Sequence, residues 1–244
     1  MIPKVYAFVS LLLTASPVLQ PASAEEAACK AERATIVCKT GDRMLRVIQK
    51  SQSPAGRYGV AWATRAAKPQ GAQYEEAPDG TVTVHDADVD NFLIRLADGK
   101  LLAKLAGEHF SDQPSYLSTD HFSHWSPEGS YLVEVNNGRW STRFADVYRI
   151  AKGDRVSGQF DLLAFCKTAV LAHDKELHGS EKKYENNIVV KSVRADGTIQ
   201  LICGLTVPRS DQDEQIFDVR MQLEPKEAGM SARVLSIRRT KSWQ

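Results

Sequence analysis

Short β-rich runs separated by tight-turn residues are the feature that most constrains the fold of this chain. Asp98-Gly99 separates the run Phe92–Leu96 from the run Lys100–Leu105, and the same dipeptide recurs at Asp196-Gly197 between two longer runs. Asp-Gly between two such runs indicates a two-residue hairpin turn. Strands joined by such short connections pair antiparallel, because parallel strands need a long crossover. The pattern predicts a mainly β protein built as an antiparallel meander.

One segment departs from the strand pattern. Apolar residues between Phe160 and His178 recur close to helical spacing. Asp161 is placed to cap the N-terminus of a helix, and Gly179 is placed to end it. We therefore expect one helix near residues 161–178 in an otherwise β fold.

The first 24 residues have the pattern of a secretory signal peptide. Lys4 precedes the apolar run Val5–Leu13, and Ala22-Ser23-Ala24 supplies the small residues of a cleavage site. An uncleaved anchor is the alternative, but the run is shorter than the roughly 20 residues that cross a bilayer. We expect cleavage near Ala24, a mature chain over residues 25–244 in the periplasm or outside the cell, and no transmembrane segment in it.

All four cysteines lie in the mature part of the chain, and an even number in an exported protein predicts disulfides. Of the three pairings, we expect Cys29–Cys38, which closes a small N-terminal loop, together with Cys166–Cys203. A zinc site is the alternative, but no two cysteines are separated by two residues. We predict a single disulfide-stapled domain over residues 25–244, with a weak internal boundary near residues 153–158.

A longer motif occurs twice. Residues 53–60 read Ser-Pro-x-Gly-x-Tyr-x-Val, and residues 126–133 repeat that pattern. Pro presets the first turn position and Gly supplies the special backbone angle, after which Tyr and Val begin a strand on one face. The second copy is preceded by Trp125 and continues into a strand that ends Val-Tyr-Arg-Ile at Ile150.

These motifs, which cover roughly residues 45–150, resemble the blades of exported β-propellers of the TolB and prolyl-oligopeptidase type. The resemblance implies a propeller-like or part-propeller arrangement of the strands. A β-sandwich that reuses the same turn is the alternative. The resemblance supplies no catalytic residue, because the propeller domains of these families bind or gate.

The net charge and the catalytic motifs that the sequence lacks argue against several classes of function. The chain has 31 Lys and Arg against 30 Asp and Glu, and a formal net charge of +1 gives no field to attract nucleic acid. No G-x-S-x-G, H-E-x-x-H or S-x-x-K motif occurs. With the cysteines assigned to disulfides, none serves as a nucleophile. We expect a protein that is not an enzyme and that uses no cofactor.

Aromatic residues in or beside two long irregular stretches, 65–80 and 108–122, favour protein binding. Tyr and Trp commonly carry the hot spots of interfaces; the alternative is that these rings plug sheet edges. We expect a module that binds another exported or envelope protein, as inhibitors, immunity proteins and assembly components do. The candidate binding residues are Tyr74, Tyr116, Phe122, Trp125 and Trp140.

A cluster of ligand-type residues in the second stretch supports the alternative of a metal-dependent hydrolase. His121 and His124 are three apart, however, and on a strand such residues face opposite sides. The acidic run Asp86–Asn91 has the alternation of a calcium loop but lacks its Gly at the sixth place and its Glu at the twelfth. The candidate metal ligands are His109, Asp112, His121 and His124.

Overall fold

The structure of the protein is a computed structural model that describes residues 29–32, 35–40, 43–64, 74–76, 82–84, 89–107, 120–138, 141–177, 184–207, 214–227, 229–241 and 243. Strands dominate these residues, and the described part of the chain holds one helix. The mainly β, antiparallel fold with a single helix is therefore confirmed. The predicted signal peptide lies outside the described residues.

The N-terminal strands form one six-stranded sheet and a separate hairpin. The strands are β1 (Cys29–Glu32), β2 (Thr35–Thr40), β3 (Arg43–Val47), β4 (Tyr58–Thr64), β5 (Tyr74–Glu76), β6 (Val82–Val84), β7 (Val89–Arg95) and β8 (Lys100–Lys104). The first sheet has the order β1-β2-β3-β4-β7-β8, and β5 pairs with β6 in a two-stranded sheet of their own. The hairpin is thus an insertion between two neighbouring strands of the first sheet.

Two four-stranded meanders and the helix follow. The second sheet contains β9 (Asp120–Trp125), β10 (Tyr131–Asn137), β11 (Thr142–Ala151) and β12 (Arg155–Asp161). Helix α1 (Leu162–His173) leads to the third sheet, which contains β13 (Glu185–Val193), β14 (Thr198–Thr206), β15 (Gln215–Lys226) and β16 (Gly229–Thr240). Consecutive strands pair antiparallel throughout both sheets.

The local signals identified in the sequence behave as expected at most positions. Asp98-Gly99 joins β7 to β8, and Asp196-Gly197 joins β13 to β14. The carboxylate of Asp161 accepts a hydrogen bond from the N–H of Ala164 at 2.8 Å and so caps α1. The helix ends at His173, earlier than predicted, because the next residue adopts an extended backbone. Gly179 lies outside the described residues.

The second sheet is the middle layer of the stack. Alternate residues of β10 face opposite neighbours: Val133 packs towards the third sheet and α1, while Leu132 packs towards the first sheet. Both side chains are fully buried. Since both faces of the sheet are covered, β10 reads as a nearly continuous apolar run instead of an alternating one.

The repeated Ser-Pro-x-Gly motif forms the same turn in the first and second sheets. In each copy the serine hydroxyl oxygen accepts two backbone N–H groups, and the glycine has a positive φ of 64° at Gly56 and 71° at Gly129. The hydroxyl contacts are Ser53 with the N–H of Arg57 and Tyr58, both 3.1 Å, and Ser126 with the N–H of Ser130 and Tyr131, both 3.0 Å.

The third sheet has a turn at the same place in its meander, although residues 194–198 carry no Ser-Pro. Gly197, with φ 82°, lies against the ring of Tyr131, as Gly129 lies against the ring of Tyr58. The turns of the second and third sheets therefore each pack on the first tyrosine of the preceding sheet. The three sheets are stacked with these turns at one end, which we call the turn end.

The longer connections leave from the opposite end, which we call the loop end. It is marked by the paired strand termini Thr64 with Val89, Asp120 with Asn137, and Glu185 with Thr206. A hydrogen bond from the N–H of Ile188 to the Thr142 hydroxyl oxygen, 2.9 Å long, aligns the loop ends of the second and third sheets. The segments 65–88, 108–119 and 208–213 begin and end here, and segment 178–183 ends here.

An acidic residue in the β11–β12 turn joins the first and second sheets. Asp154 has a φ of 60° and accepts hydrogen bonds from Arg57, Tyr58 and Arg95. These contacts hold the pKa of Asp154 below its ordinary value. Residues 153–158, where the sequence suggested a weak boundary, form this turn and the start of β12 within the second sheet.

The stack ends differently on its two sides, and the described residues close no barrel. The first sheet curls over its own outer face, where Thr40 donates to the carbonyl oxygen of Gly99 at 2.8 Å and covers a small core around Leu45. The outer face of the third sheet is partly polar, with Gln200 bonded to Asp218. This layered meander is consistent with a part-propeller or a sandwich.

One of the two predicted disulfides is present. Cys29 and Cys38 lie opposite each other on β1 and β2 and are bonded. The predicted Cys166–Cys203 disulfide is wrong for this structure, in which both are free, buried thiols. The Cys203 thiol instead donates a hydrogen bond to Oδ1 of Asn186 at 3.1 Å.

Candidate functional site

Buried polar side chains lie between the first and second sheets, towards the loop end. They are Asn91 of β7, Glu134 of β10, and Asp146 and Tyr148 of β11, with exposed fractions of 0, 0, 7 and 1%. We call these four residues the polar layer. Burying carboxylates is costly, so such groups mark a place where the fold accepts a cost in stability.

Strand register brings two carboxylates of the polar layer together. Glu134 of β10 lies directly opposite Asp146 of β11. Ser123 and Asp161 continue the same row on β9 and β12. The four residues therefore cross the whole second sheet on the face that meets the first sheet. Like charges placed directly opposite each other on a sheet repel and destabilise the pairing.

The surroundings of Asp146 and Tyr148 raise the pKa of both groups, which favours their neutral forms. Burial raises the pKa of Asp146 to about 6, against a hydrogen bond from Gln159 that lowers it, and the charges of Asp161 and Glu134 raise it further. Burial and the charge of Glu134 also raise the pKa of Tyr148. The Tyr148 hydroxyl oxygen accepts the N–H of Ala106 at 2.9 Å.

Gly107 closes the polar layer where the chain leaves β8. A Cβ at this position would lie 2.6 Å from Oδ1 of Asn91, 2.7 Å from Cζ of Phe144 and 3.3 Å from Oε1 of Glu134. Only a glycine allows the backbone to approach this closely. The segment 108–119 therefore begins directly beside the buried carboxylates.

The chemistry available here is the binding of a proton. A carboxyl group with a pKa near 6 changes charge close to neutral pH, which is the range in which general acids and bases work. The described part of the chain contains no group of three or more His, Cys, Asp or Glu side chains that could hold a metal ion.

The predicted aromatic residues are largely attached to the loop end. Tyr74 belongs to β5, in the insertion that leaves from Thr64, and Phe122 belongs to β9 close to its loop-end terminus. Tyr116 and Trp140 lie outside the described residues, in segments whose flanking residues are at the same end. The chain connectivity thus associates these four residues with one end of the stack.

Trp125 is placed differently, at the turn end. Its ring stacks on Tyr58 with centroids 6.0 Å apart and planes inclined by 16°, and its Nε1 donates to the carbonyl oxygen of Ser51 at 2.9 Å. The ring also packs against the apolar cluster between the first and second sheets. The geometry of Trp125 therefore matches the alternative interpretation, in which the ring packs against the sheets and is not held ready for a partner.

The candidate metal ligands are not brought together by the described residues. Strand register places His121 opposite Asn136 and His124 opposite Val133. His109 and Asp112 lie outside the described residues. Of the acidic run, Asp90 and Asn91 belong to β7, and Asp90 forms an ion pair with Lys104 at 2.8 Å.

A second polar site lies at the C-terminal end of α1. A cavity of about 290 Å³ is lined by His173, Asp174, Lys175, Glu176, Phe217 and Arg239. Arg239 bonds Asp174 at 2.9 Å and Glu176 at 3.3 Å, and its guanidinium lies 5.7 Å from the ring centre of Phe217. The positive charge of Arg239 is therefore neutralised by two carboxylates of the cavity wall.

The sequence interpretation missed the polar layer. One signal was available: Glu134 is embedded in the apolar run from Tyr131 to Val135, and such a run indicates a strand covered on both faces. A carboxylate in such a strand has to be buried. Asp146 carried a similar signal, since it is embedded in the apolar run from Phe144 to Tyr148.

Comparison with known proteins does not assign the chain to a family. No protein-family model matches it, and no curated protein matches it with significant sequence similarity. Among the described residues, no helix combines the length and the apolar character needed to cross a membrane.

Proposed function

We propose that this chain is an exported, non-enzymatic protein-binding module that engages its partner at the loop end. The observation that carries the proposal is the division of the molecule into two ends. The three stacked turns occupy one end. The long connecting segments that contain Tyr74 and Tyr116 are attached to the other end, where β9 with Phe122 begins and where the short β10–β11 turn with Trp140 also lies. Loops held by a rigid scaffold are the usual location of binding residues.

The scaffold has the rigidity that such a module needs. The repeated turns pack on each other at the turn end, and Asp154 ties the first sheet to the second. Bonded Cys29 and Cys38 hold the N-terminal strands together. A scaffold ordered before binding lowers the entropic cost of association.

The partner we propose is another exported or envelope protein, either an assembly component or an enzyme that this protein restrains. Aromatic side chains suit a protein surface, because they contribute much contact area for little loss of side-chain entropy. The near-zero net charge argues against nucleic acid as the partner.

Export is tested by the mass of the protein recovered from an expressing bacterium. We expect the periplasmic or secreted fraction to contain a chain that begins at Glu25, with Cys29 and Cys38 bonded. An Ala24→Arg variant should accumulate in uncleaved form, because signal peptidase requires a small residue there. A full-length chain confined to the cytoplasm would refute the export proposal.

Binding is tested with a loop-end variant and a matched surface control. The loop-end variant carries Tyr74→Ala, Tyr116→Ala, Phe122→Ala and Trp140→Ala. The control carries Val189→Ala and Val234→Ala, two exposed apolar residues of the third sheet. Wild type and control should retain a stoichiometric partner from envelope extract, while the loop-end variant loses at least about tenfold in affinity, since hot-spot truncations each cost about 1 kcal/mol or more.

Circular dichroism melting of the three proteins establishes that the loop-end variant is folded. Equal recovery of the partner by all three would show that binding occurs elsewhere. Failure of the wild-type protein to retain any stoichiometric partner would count against a binding module altogether.

The alternative, a metal-dependent hydrolase that uses the His and Asp residues of the 108–124 region, is tested separately. It requires a metal ion in the purified protein that is lost in the variant His121→Ala/His124→Ala. A metal-free wild-type protein would remove this alternative.

A further inference from the structure

The C-terminal tail places a tryptophan on the outer face of the third sheet. Trp243 follows β16, and its ring lies over Gly204 of β14. Gly204 follows Cys203, which faces the apolar core, and so belongs to the opposite, outer face. It lies close to Thr206, whose pairing with Glu185 marks the loop end. The tail thus covers part of the third sheet at the end where we propose that a partner binds.

A glycine makes room for the ring. A Cβ atom at position 204 would lie 2.5 Å from both Cζ2 and Cη2 of Trp243, and 2.5 Å from Oε1 of Glu214. Any larger residue would therefore displace the indole or the carboxylate. The bare backbone of β14 at Gly204 forms the floor of a slot that fits a flat aromatic ring.

The carboxylate of Glu214 accepts the indole N–H. Its Oε2 lies 3.0 Å from Nε1 of Trp243, while its Oε1 accepts hydrogen bonds from Nδ2 of Asn187 and Oγ1 of Thr206, both 3.0 Å long. Asn187 and Thr206 belong to β13 and β14, so they orient the carboxylate whether or not the tail is docked. An ionised acceptor makes a stronger hydrogen bond to the indole than a neutral one would.

Lys191 adds a contact to the main chain. Its Nζ donates to the carbonyl oxygen of Trp243, and so recognises the peptide backbone that carries the ring. A flat floor, an acceptor at the ring edge and an ammonium group for the carbonyl oxygen together match one kind of ligand, a tryptophan within a peptide. We call Gly204, Glu214 and Lys191 the indole slot.

We propose that the indole slot is a binding site for a tryptophan-bearing peptide segment of the partner protein, and that Trp243 is a built-in competitor for it. The occupant is inferred from the residue already seated there, because an incoming segment would reproduce the same three contacts. That the segment belongs to the partner rests on the function proposed above, whereas the affinity of the slot for a tryptophan peptide does not.

The tail is held in a way that allows exchange. Trp243 is half-buried, and its hydrogen bonds with Glu214 and Lys191 are made to side chains at the surface of the sheet. Replacing one tryptophan by another conserves these contacts, so the main obstacle is the high local concentration of the tethered tail. Only molecules with an open slot bind a segment in trans, and the apparent affinity falls by that fraction. Removing the Trp243 ring should therefore strengthen the binding of a tryptophan peptide.

The test titrates the wild-type protein and the full-chain variant Trp243→Ala with the acetylated peptide Arg-Thr-Lys-Ser-Trp-Gln, which has the sequence of residues 239–244. Calorimetry measures the affinity, and the amide NMR signal of Gly204 reports whether the peptide occupies the slot. We expect Trp243→Ala to bind the peptide at least about tenfold more tightly than the wild type does. A peptide with 1-methyltryptophan, which has no indole N–H, should bind to the variant about tenfold more weakly.

Second changes separate the slot from the rest of the surface. In the Trp243→Ala background, Gly204→Ala should abolish binding by filling the floor, and Glu214→Gln should weaken it about tenfold by removing the charged acceptor. Val234→Ala, at an exposed residue of β16, is the matched control and should leave the affinity unchanged. Thermal unfolding checks that each variant is folded, and Trp243→Phe, which keeps a ring but has no N–H, replaces Trp243→Ala if that variant is not.

The proposal is overturned if the folded Trp243 variant does not bind the peptide, or binds it no more tightly than the wild type. It is also overturned if the 1-methyltryptophan peptide binds equally well, or if Gly204→Ala retains binding. A failure of the slot would leave the loop-end binding experiment unaffected. The absence of a partner in that experiment would leave the peptide affinity in place, so the two failures are distinguishable.

Discussion

The two interfaces of the middle sheet differ in chemistry, although they share the strands β10 and β11. The interface with the third sheet is apolar, filled by residues such as Val133, Val147 and Leu201. The interface with the first sheet combines an apolar cluster with the polar layer around Glu134 and Asp146. One side is thus built for stability, while the other accepts buried charge towards the loop end, where we propose that a partner binds.

The difference shows how the alternating side chains of one strand can pack against two different sheets. Moving one residue along β10, from Val133 to Glu134, changes the environment from hydrocarbon to buried carboxylates. A pattern of this kind cannot tolerate a slip in register, because a shift by one residue would exchange the two faces. The polar layer therefore also contributes to the uniqueness of the stacking.

The largest expected effect comes from creating a cavity on each side. Leu201→Ala empties space in the apolar interface, and Leu132→Ala does so in the interface that holds the polar layer; both side chains are 0% exposed. We expect Leu201→Ala to lower the free energy of unfolding by about 3–5 kcal/mol and Leu132→Ala by about 2–3 kcal/mol, because water near polar groups fills a cavity more readily. Denaturant unfolding measures both, and equal losses would contradict the distinction.

The next effect depends on pH. The folded-state pKa of Asp146, about 6, is above its ordinary value of 3.8, so its contribution to stability is complete below about pH 4 and is lost as pH rises through about 6. Asp146→Asn should therefore match the wild type near pH 4 and exceed it at neutral pH, by on the order of 2–3 kcal/mol. Urea unfolding between pH 4 and 8 measures this.

A variant whose stability changes with pH in the opposite direction serves as the control for this experiment. Hydrogen bonds from Arg95 hold the pKa of Asp98 at about 2, so its contribution is present above about pH 4 and is lost as pH falls towards about 2. Asp98→Asn should thus lose the contribution at neutral pH and approach the wild type in acid. If both variants changed stability in parallel with pH, the assignment of the neutral-pH effect to Asp146 would fail.

The smallest effect tests whether the turn end is indeed the same in both sheets. Ser53→Ala and Ser126→Ala each remove a hydroxyl oxygen that accepts two backbone N–H groups. We expect each to lower the free energy of unfolding by about 1–2 kcal/mol, with Ser126→Ala at the upper end because the Ser126 hydroxyl also bonds the hydroxyl of Ser130 at 3.1 Å. Thermal unfolding measures the pair, and losses that differ more than twofold would show that the repeat is only superficial.

Local signals in the sequence were sufficient for the elements that depend on neighbouring residues. The Asp-Gly hairpins, the cap at Asp161 and the paired Ser-Pro-x-Gly turns all follow from short-range backbone chemistry. The third turn at residues 194–198 was not recognised as a repeat, because it has no Ser-Pro and is one residue shorter, although its glycine takes a corresponding place against a tyrosine ring.

Features that depend on the order in which the sheets stack could not be predicted. The sheet that covers Asp146 is the first sheet, whose strands are more than 40 residues away. The pairing of Cys166 with Cys203 followed from counting cysteines, which gives no information about the hydrogen bond that the Cys203 thiol makes in the core. The bonded pair Cys29 and Cys38 was easier, since a single hairpin brings the two together.

Asp154 limits how this protein can change by mutation. Its backbone lies in the left-handed region, which Gly, Asn and Asp adopt most readily, and its carboxylate accepts three donors from the first sheet. Gly would satisfy the backbone but not the donors, and Asn would satisfy the backbone but lose the charge opposite two arginines. Position 154 should therefore be among the least substitutable in a library of single variants, even though it lies in a turn.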